Sequence, residues 1–333
     1  MSIVNSSSSS VPSFLLMGFP GAEAAKIWIS LPLSFLYIQC VLGNGLILFT
    51  IKTDRQLREP MHMLLCMLST TDLGLALSTL PTVLGVYWFD YRIIHFHACL
   101  VQLFFMHSLC SVESAILVAM AYDRYIAICN PLRYASLMHP IIGKVGLVAV
   151  IRGAGIHVPI PVLLSRLPFC DKKALSHAFC YQSDVMKLAC ADTTINSMYG
   201  LVLVLTTYII DSVFIAFSYV MILKTVLSTA RQAERSKALN TCVSHLCVVF
   251  LFYIPLYGVT LVHRYGRSAS PLLIILIGLF FLVIPPALNP IVYSIKNKQI
   301  RYAIGKKVWV KKTMDKDSKS NDISGQQNHQ TAY

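Results

Sequence analysis

The sequence predicts an all-α membrane protein: a seven-transmembrane helix bundle with an extracellular N-terminus and a cytoplasmic C-terminus. Three observations carry this. The chain is 56% hydrophobic and only 13% charged, its apolar residues fall in seven long runs, and its basic residues gather on alternate connections. Soluble domains hold nearer ~25% charged residues, so a soluble enzyme is disfavoured; so apolar a chain is not disordered either. A bilayer crossing takes ~20 apolar residues. Only helices or closed barrels satisfy backbone groups in hydrocarbon, and runs of this length mean helices.

Residues 1–26 are read as an extracellular segment with a serine run, an Asn-x-Ser sequon at Asn5 open to glycosylation, and a short apolar patch near Phe14. A signal peptide is not expected, because the cationic start is missing and the apolar stretch is too short. The first span then directs its own insertion. Residues 27–294 form the membrane domain, with runs at 27–51, 61–88, 98–128, 143–164, 199–223, 238–262 and 271–294. Residues 295–333 are a basic cytoplasmic tail.

Net charge is +13, which suits either a nucleic-acid-binding face or a membrane protein obeying the positive-inside rule. Position decides between them. The tail, the loops after the first, third and fifth spans and the adjoining helix ends hold 19 of the 28 Lys and Arg residues. The charge is therefore an orientation signal, and no nucleic-acid partner is expected. Oxidation is permitted outside, where Cys99, Cys170, Cys180 and Cys190 lie; four cysteines allow three pairings. The other six, Cys40, Cys66, Cys110, Cys129, Cys242 and Cys247, read as small apolar fillers.

Polar groups within spans are costly and point to function. Those singled out are Asn44, Asp72, His107, Glu113, Asp123, Arg124, Asp211, His245 and Asn289. Asn44, Asp72 and Asn289 are expected to meet in the bundle interior, and Glu113 to join a hydrogen-bond network with His245 or water.

The third span ends in Met120-Ala-Tyr-Asp123-Arg124-Tyr125-Ile-Ala-Ile-Cys129-Asn-Pro-Leu-Arg-Tyr134. With Gly43-Asn44, Pro60-Met61-His62, Ser218-Tyr219, the run from Lys237 to His245 and Pro286-Ala-Leu-Asn289-Pro290-Ile-Val-Tyr293, it resembles the olfactory receptors of the rhodopsin-like G-protein-coupled class. Gly18-Phe-Pro20-Gly21, Phe252-Tyr253-Ile-Pro255, His263-Arg264 and Pro285-Pro286 resemble the class I branch, associated with hydrophilic odorants such as carboxylic acids. His62 departs from the Tyr usual in the family, and Asn130 from a common His.

The resemblance implies an odorant receptor at the plasma membrane that activates a stimulatory heterotrimeric G protein and raises cyclic AMP, with no cofactor, no metal and no enzymatic activity. It implies pairing of Cys99 with Cys180 and Cys170 with Cys190. It also implies a switch in which Asp123 holds Arg124 until activation, with Tyr125, Tyr219, Asn289, Pro290 and Tyr293 part of the same machinery. By resemblance to class I receptors, Arg264 anchors an acid head group and His107 and Thr260 support it. An arginine suits this because its planar fork meets a carboxylate with two hydrogen bonds.

Spacing adds candidates. His107, Ser111 and Ser114 share a face of the third span at i, i+4 and i+7, and Tyr253, Tyr257, Thr260 and Arg264 share one of the sixth. His157, Ile160, Phe104 and Phe105 are candidate walls. Rival functions lack their residues: the seventh span holds no lysine for a retinal Schiff base, and the outer third span holds no carboxylate for an amine. Broken midplane helices or repeats of a transporter are missing too.

Overall fold

The computed structural model describes residues 13–18, 26–170, 173–228, 232–266, 269–297 and 299–306. Asn5 and most of the basic tail lie outside them. Seven helices long and apolar enough to cross a membrane follow in order: α1 (Lys26–Thr53), α2 (Pro60–Trp88), α3 (Phe96–Cys129), α4 (Ile142–Ser165), α5 (Thr194–Ser228), α6 (Gln232–Tyr265) and α7 (Pro271–Lys296). A short helix, α8, spans 299–306.

Local chemistry sets the ends. Pro60 opens α2 at a position where no N–H is needed. Ser270 caps α7, its Oγ accepting from the Leu273 N–H at 3.3 Å. The fifth and sixth spans are longer than their apolar runs suggest: α5 starts at Thr194 and reaches Ser228, and α6 begins at Gln232. Polar turns continue a helix without changing its backbone bonds, so hydropathy does not register them.

Packing follows from small residues and prolines. A Cβ on Gly43 would sit 2.9 Å from the Pro290 Cβ, which shows how closely α1 meets α7. On Gly153 it would lie 2.8 Å from the Ser108 carbonyl, so α4 rides against the backbone of α3. Within α7, Pro290 has no N–H for the Pro286 carbonyl four residues back. Asn44 of α1 donates into that carbonyl at 3.0 Å. Outward, Trp28, Phe35, Leu42 and Phe49 of α1 recur at seven-residue spacing and are 58–78% exposed, a stripe suited to acyl chains. α3 is the most enclosed span.

One feature departs from the all-helical expectation. Outside the bundle lies a three-stranded sheet of β1 (Ser13–Leu16), β2 (Ile93–His95) and β3 (Ala174–Leu175). β1 is central, antiparallel to β2 and parallel to β3. Its Phe14 and Leu16 are buried, and the Phe14 ring meets Phe96 and Phe169 edge-on at 5.8 and 5.4 Å. The apolar patch of the N-terminal segment is thus the centre of an outer cap.

Candidate ligand cavity and signalling switch

Beneath that cap, α3 to α7 and the loop between α4 and α5 enclose a cavity of about 330 Å³, room for about ten waters at ~30 Å³ each. Two disulfides fix the loop, Cys99 to Cys180 and Cys170 to Cys190, with Cα atoms 5.5 and 5.9 Å apart. Gln102 of α3 adds a tie: its Oε1 accepts from the Cys180 N–H at 2.8 Å, and its Nε2 donates to the Ser78 carbonyl at 2.8 Å. Inside the loop, Asp184 accepts from His177 Nδ1 at 2.6 Å and from Lys187 Nζ at 3.1 Å. Burial would raise the Asp184 carboxyl, but the His177 bond and the charges of His177 and Lys187 prevail and hold it at about 2.

The cavity is lined by His107, Thr260 and Arg264, together with His157, Ile160, Gln182 and Lys187. Arg264 donates from Nη2 to the Ser197 carbonyl at 3.0 Å and makes no ion pair among the described residues. Asp184 is engaged within the loop, and Asp192 accepts from Thr194. Thr260 spends its hydroxyl on the Leu256 carbonyl at 2.8 Å. His263, the neighbour of Arg264, stacks near Tyr181 at 4.4 Å, with neither ring nitrogen hydrogen-bonded.

Two expected ligand positions are elsewhere. Ser111 is fully buried in the interior, its Oγ unbonded and its carbonyl accepting from Arg152. Tyr257 faces α5, donating to the Tyr208 carbonyl and meeting Ser212 at 3.0 Å. Phe104 and Phe105 are also not among the lining residues, whereas His157 and Ile160 are. Helical spacing says which residues share a face but not which neighbour that face meets.

Under the cavity Asp211, Ser114 and Tyr253, each singled out in the sequence, meet around Arg152, which was not. Arg152 of α4 forms a two-pronged pair with Asp211 of α5 at 2.8 and 2.7 Å. Ser114 of α3 donates to the same carboxylate at 2.6 Å and meets Tyr253 of α6 at 2.9 Å. Four helices thus converge on one ion pair, its Asp211 buried and its Arg152 half-buried. An arginine ten residues into an apolar run is the signal that marks it.

Deeper, Asn289 donates to both oxygens of Asp72 at 3.3 and 3.1 Å. Glu113 is buried with its Oε1 unbonded among the described residues; His245 does not join the pair. Asn44 is not on the carboxylate either, since its Nδ2 serves the Cys40 and Pro286 carbonyls. At the inner edge, Arg124 pairs with Asp123, whose second oxygen accepts from Tyr134 at 2.7 Å. Burial, then the Asp123 charge, pushes the Tyr134 phenol up. His245 Nε2 donates to the Leu117 carbonyl at 3.1 Å, so Nδ1 is the acceptor for the Tyr219 hydroxyl at 2.7 Å. Tyr293 reaches the Met120 sulfur at 3.7 Å, Pro290 packs on Gly43, and Tyr125 is half-buried beside Tyr122. His62 takes a bond from Asn297 at 3.3 Å, fastening α2 to the end of α7.

Comparison with known proteins places this geometry. A family model described as olfactory receptor matches residues 33–312. Human olfactory receptor 51G2 is 52% identical over 301 residues, covering 90% of this chain and 96% of that protein. Human and mouse olfactory receptor 51E2 are each 47% identical over 289 residues, covering 86% of this chain and 90% of theirs. The crystal structure of squid rhodopsin shares the fold with a TM-score of 0.69 at 16% identity, over 89% of this chain and 91% of that one. The chain belongs to the olfactory receptor family and is a multi-pass plasma-membrane receptor that senses an odorant and signals through a G protein, not an enzyme.

Proposed function

We propose that the odorant is a small carboxylic acid, bound with its carboxylate on Arg264, and that the receptor activates a stimulatory G protein and raises cyclic AMP. The observation behind this is Arg264 itself, a cavity-lining guanidinium whose one hydrogen-bond partner among the described residues is a backbone carbonyl. A carboxylate would complete its fork with two charge-assisted bonds. Supporting contacts along the ligand come from Thr260 near the carboxylate and from His107 deeper in the cavity. The ligand rests against loop residues held by Cys99–Cys180 and Cys170–Cys190, between the extracellular segment 1–26 and the cytoplasmic tail 295–333.

An acid of about six non-hydrogen atoms gains at most about −9 kcal/mol, and each further buried methylene adds about 0.8 kcal/mol until the cavity is full. To raise an active state from 1:99 to even, the ligand must favour it by about 2.7 kcal/mol. In this reading Arg124 leaves Asp123 to meet the G protein, while Tyr125, Tyr219, Asn289, Pro290 and Tyr293 rearrange around it.

The test is an acid, alcohol and ester panel in cells carrying an olfactory-type stimulatory G protein. Acids of short or medium length should raise cyclic AMP. Arg264→Ala should weaken the response by about 30-fold or more, as expected for removing one partner of a desolvated charge pair, with surface expression intact. An acid response that survives Arg264→Ala would overturn the anchor. Arg124→Ala should keep ligand binding and lose cyclic AMP output; loss of both would make Arg124 a structural residue.

A further inference from the structure

The acid-binding reading leaves His157, the partner of His107 in the cavity's polar patch, without a role. On α4, His157 is 1% exposed and lines the cavity. Its Nδ1 donates to the Gly153 carbonyl at 2.8 Å. That bond fixes a proton on Nδ1 and leaves Nε2 as an acceptor without a protein partner. On α3, the His107 ring lies parallel to it, with centroids 5.8 Å apart and an interplanar angle of 3°. His107 Nε2 is buried and unbonded. The surrounding wall is apolar, built of residues such as Met106, Cys110 and Ile160.

Buried polar groups are ordinarily paired, and an unpaired one is a cost unless something completes it. Two aromatic rings stacked only to fill space would need no nitrogens. The patch is also far from the anchor along the bundle. Arg264 is in the last turn of α6, whereas His107 and His157 lie roughly 12–16 Å below the outer ends of α3 and α4, at ~1.5 Å per residue.

We propose that the receptor selects carboxylic acids carrying a hydroxyl near the far end, with the carboxylate on Arg264, the hydroxyl donating to His157 Nε2, and His107 as the second polar contact. His157 is thereby a specificity-determining residue. The inference rests on the carboxylate reading for the near end of the ligand and adds the chemistry of the far end.

A pair of equal-sized ligands tests it: heptanoic acid, and hexanoic acid hydroxylated at its terminal carbon, which exchange a methyl for a hydroxyl. The intact receptor should respond to the hydroxy acid at about 10- to 100-fold lower concentration. His157→Phe should remove or reverse that preference at equal surface expression, and His157→Gln, which keeps a hydrogen-bonding group, should retain part of it. Equal response to the two acids in the intact receptor, or a hydroxyl preference that survives His157→Phe, overturns the proposal. If Arg264→Ala leaves both acids unaffected, the carboxylate reading has failed. The far end is then read with heptanol against hexanediol in the same variants. A diol preference lost in His157→Phe supports the patch, and its absence overturns it.

Discussion

The two ends of the bundle use similar side chains in opposite ways. Around the outer cavity, His107, His157 and His263 carry ring nitrogens without partners among the described residues, and Arg264 has a single carbonyl there. At the inner end, Asp123, Arg124, Tyr134, Tyr219 and His245 satisfy one another. The space left there is about 10 Å³, enough for at most one water. Unpaired polar groups facing an empty volume are suited to a guest; mutually paired ones hold a conformation until something pulls them apart.

The contrast is broken most severely at the ion pair between the two regions. Asp211→Ala leaves the half-buried Arg152 without its carboxylate, and should cost about 3 kcal/mol, the low end for breaking a buried pair, in the thermal unfolding of purified receptor. Replacing both partners with apolar residues, Arg152→Met with Asp211→Leu, should recover most of that stability while uncoupling ligand from G protein. A single variant as stable as the parent would mean that the pair is not structural.

A smaller effect concerns the loop over the cavity. Asp184 is held at about 2 in the folded loop, below its ordinary 3.8. A depressed carboxylate contributes stability above its unfolded value and loses it as pH falls through the folded one, here between about pH 4 and 2. The gain at neutral pH is about 2 kcal/mol. Hydrogen exchange in the loop should therefore speed up in Asp184→Asn at neutral pH, with the difference from the parent closing as pH drops through that window. A difference that persists at the acid end would count against the ion pair.

The smallest effect sharpens the inner end. Tyr134→Phe removes one of the bonds holding Asp123, at about 1–1.5 kcal/mol, and should raise ligand-independent signalling about 5- to 10-fold. Unchanged basal signalling would show that Arg124 alone restrains Asp123.

The spans and the inner Asp123–Arg124 pair were legible in the sequence for the same reason: both are written locally, as ~20 apolar residues or as a contiguous motif such as Asp123-Arg124-Tyr125. The outer site is assembled from distant pieces. β1 joins strands on either side of it that belong to far later segments, and nothing local to Phe14 announces Ile94 or Ala174. Ser111 and Ser114 share a face with His107, yet α3 is enclosed on nearly every side, so sharing a face did not mean sharing the cavity. Arg152 went unread because its partner, Asp211, lies on another helix.

The placement of β1 has a consequence for biogenesis. Its strand leaves the ribosome roughly 80 residues before β2 and roughly 160 before β3, so at ~5–20 residues per second it waits about 8–30 s for its second neighbour. Once α1 has carried them across, Phe14 and Leu16 lack their last neighbour until β3 follows. Their burial in the finished cap therefore requires that the four helices made before β3 are in place.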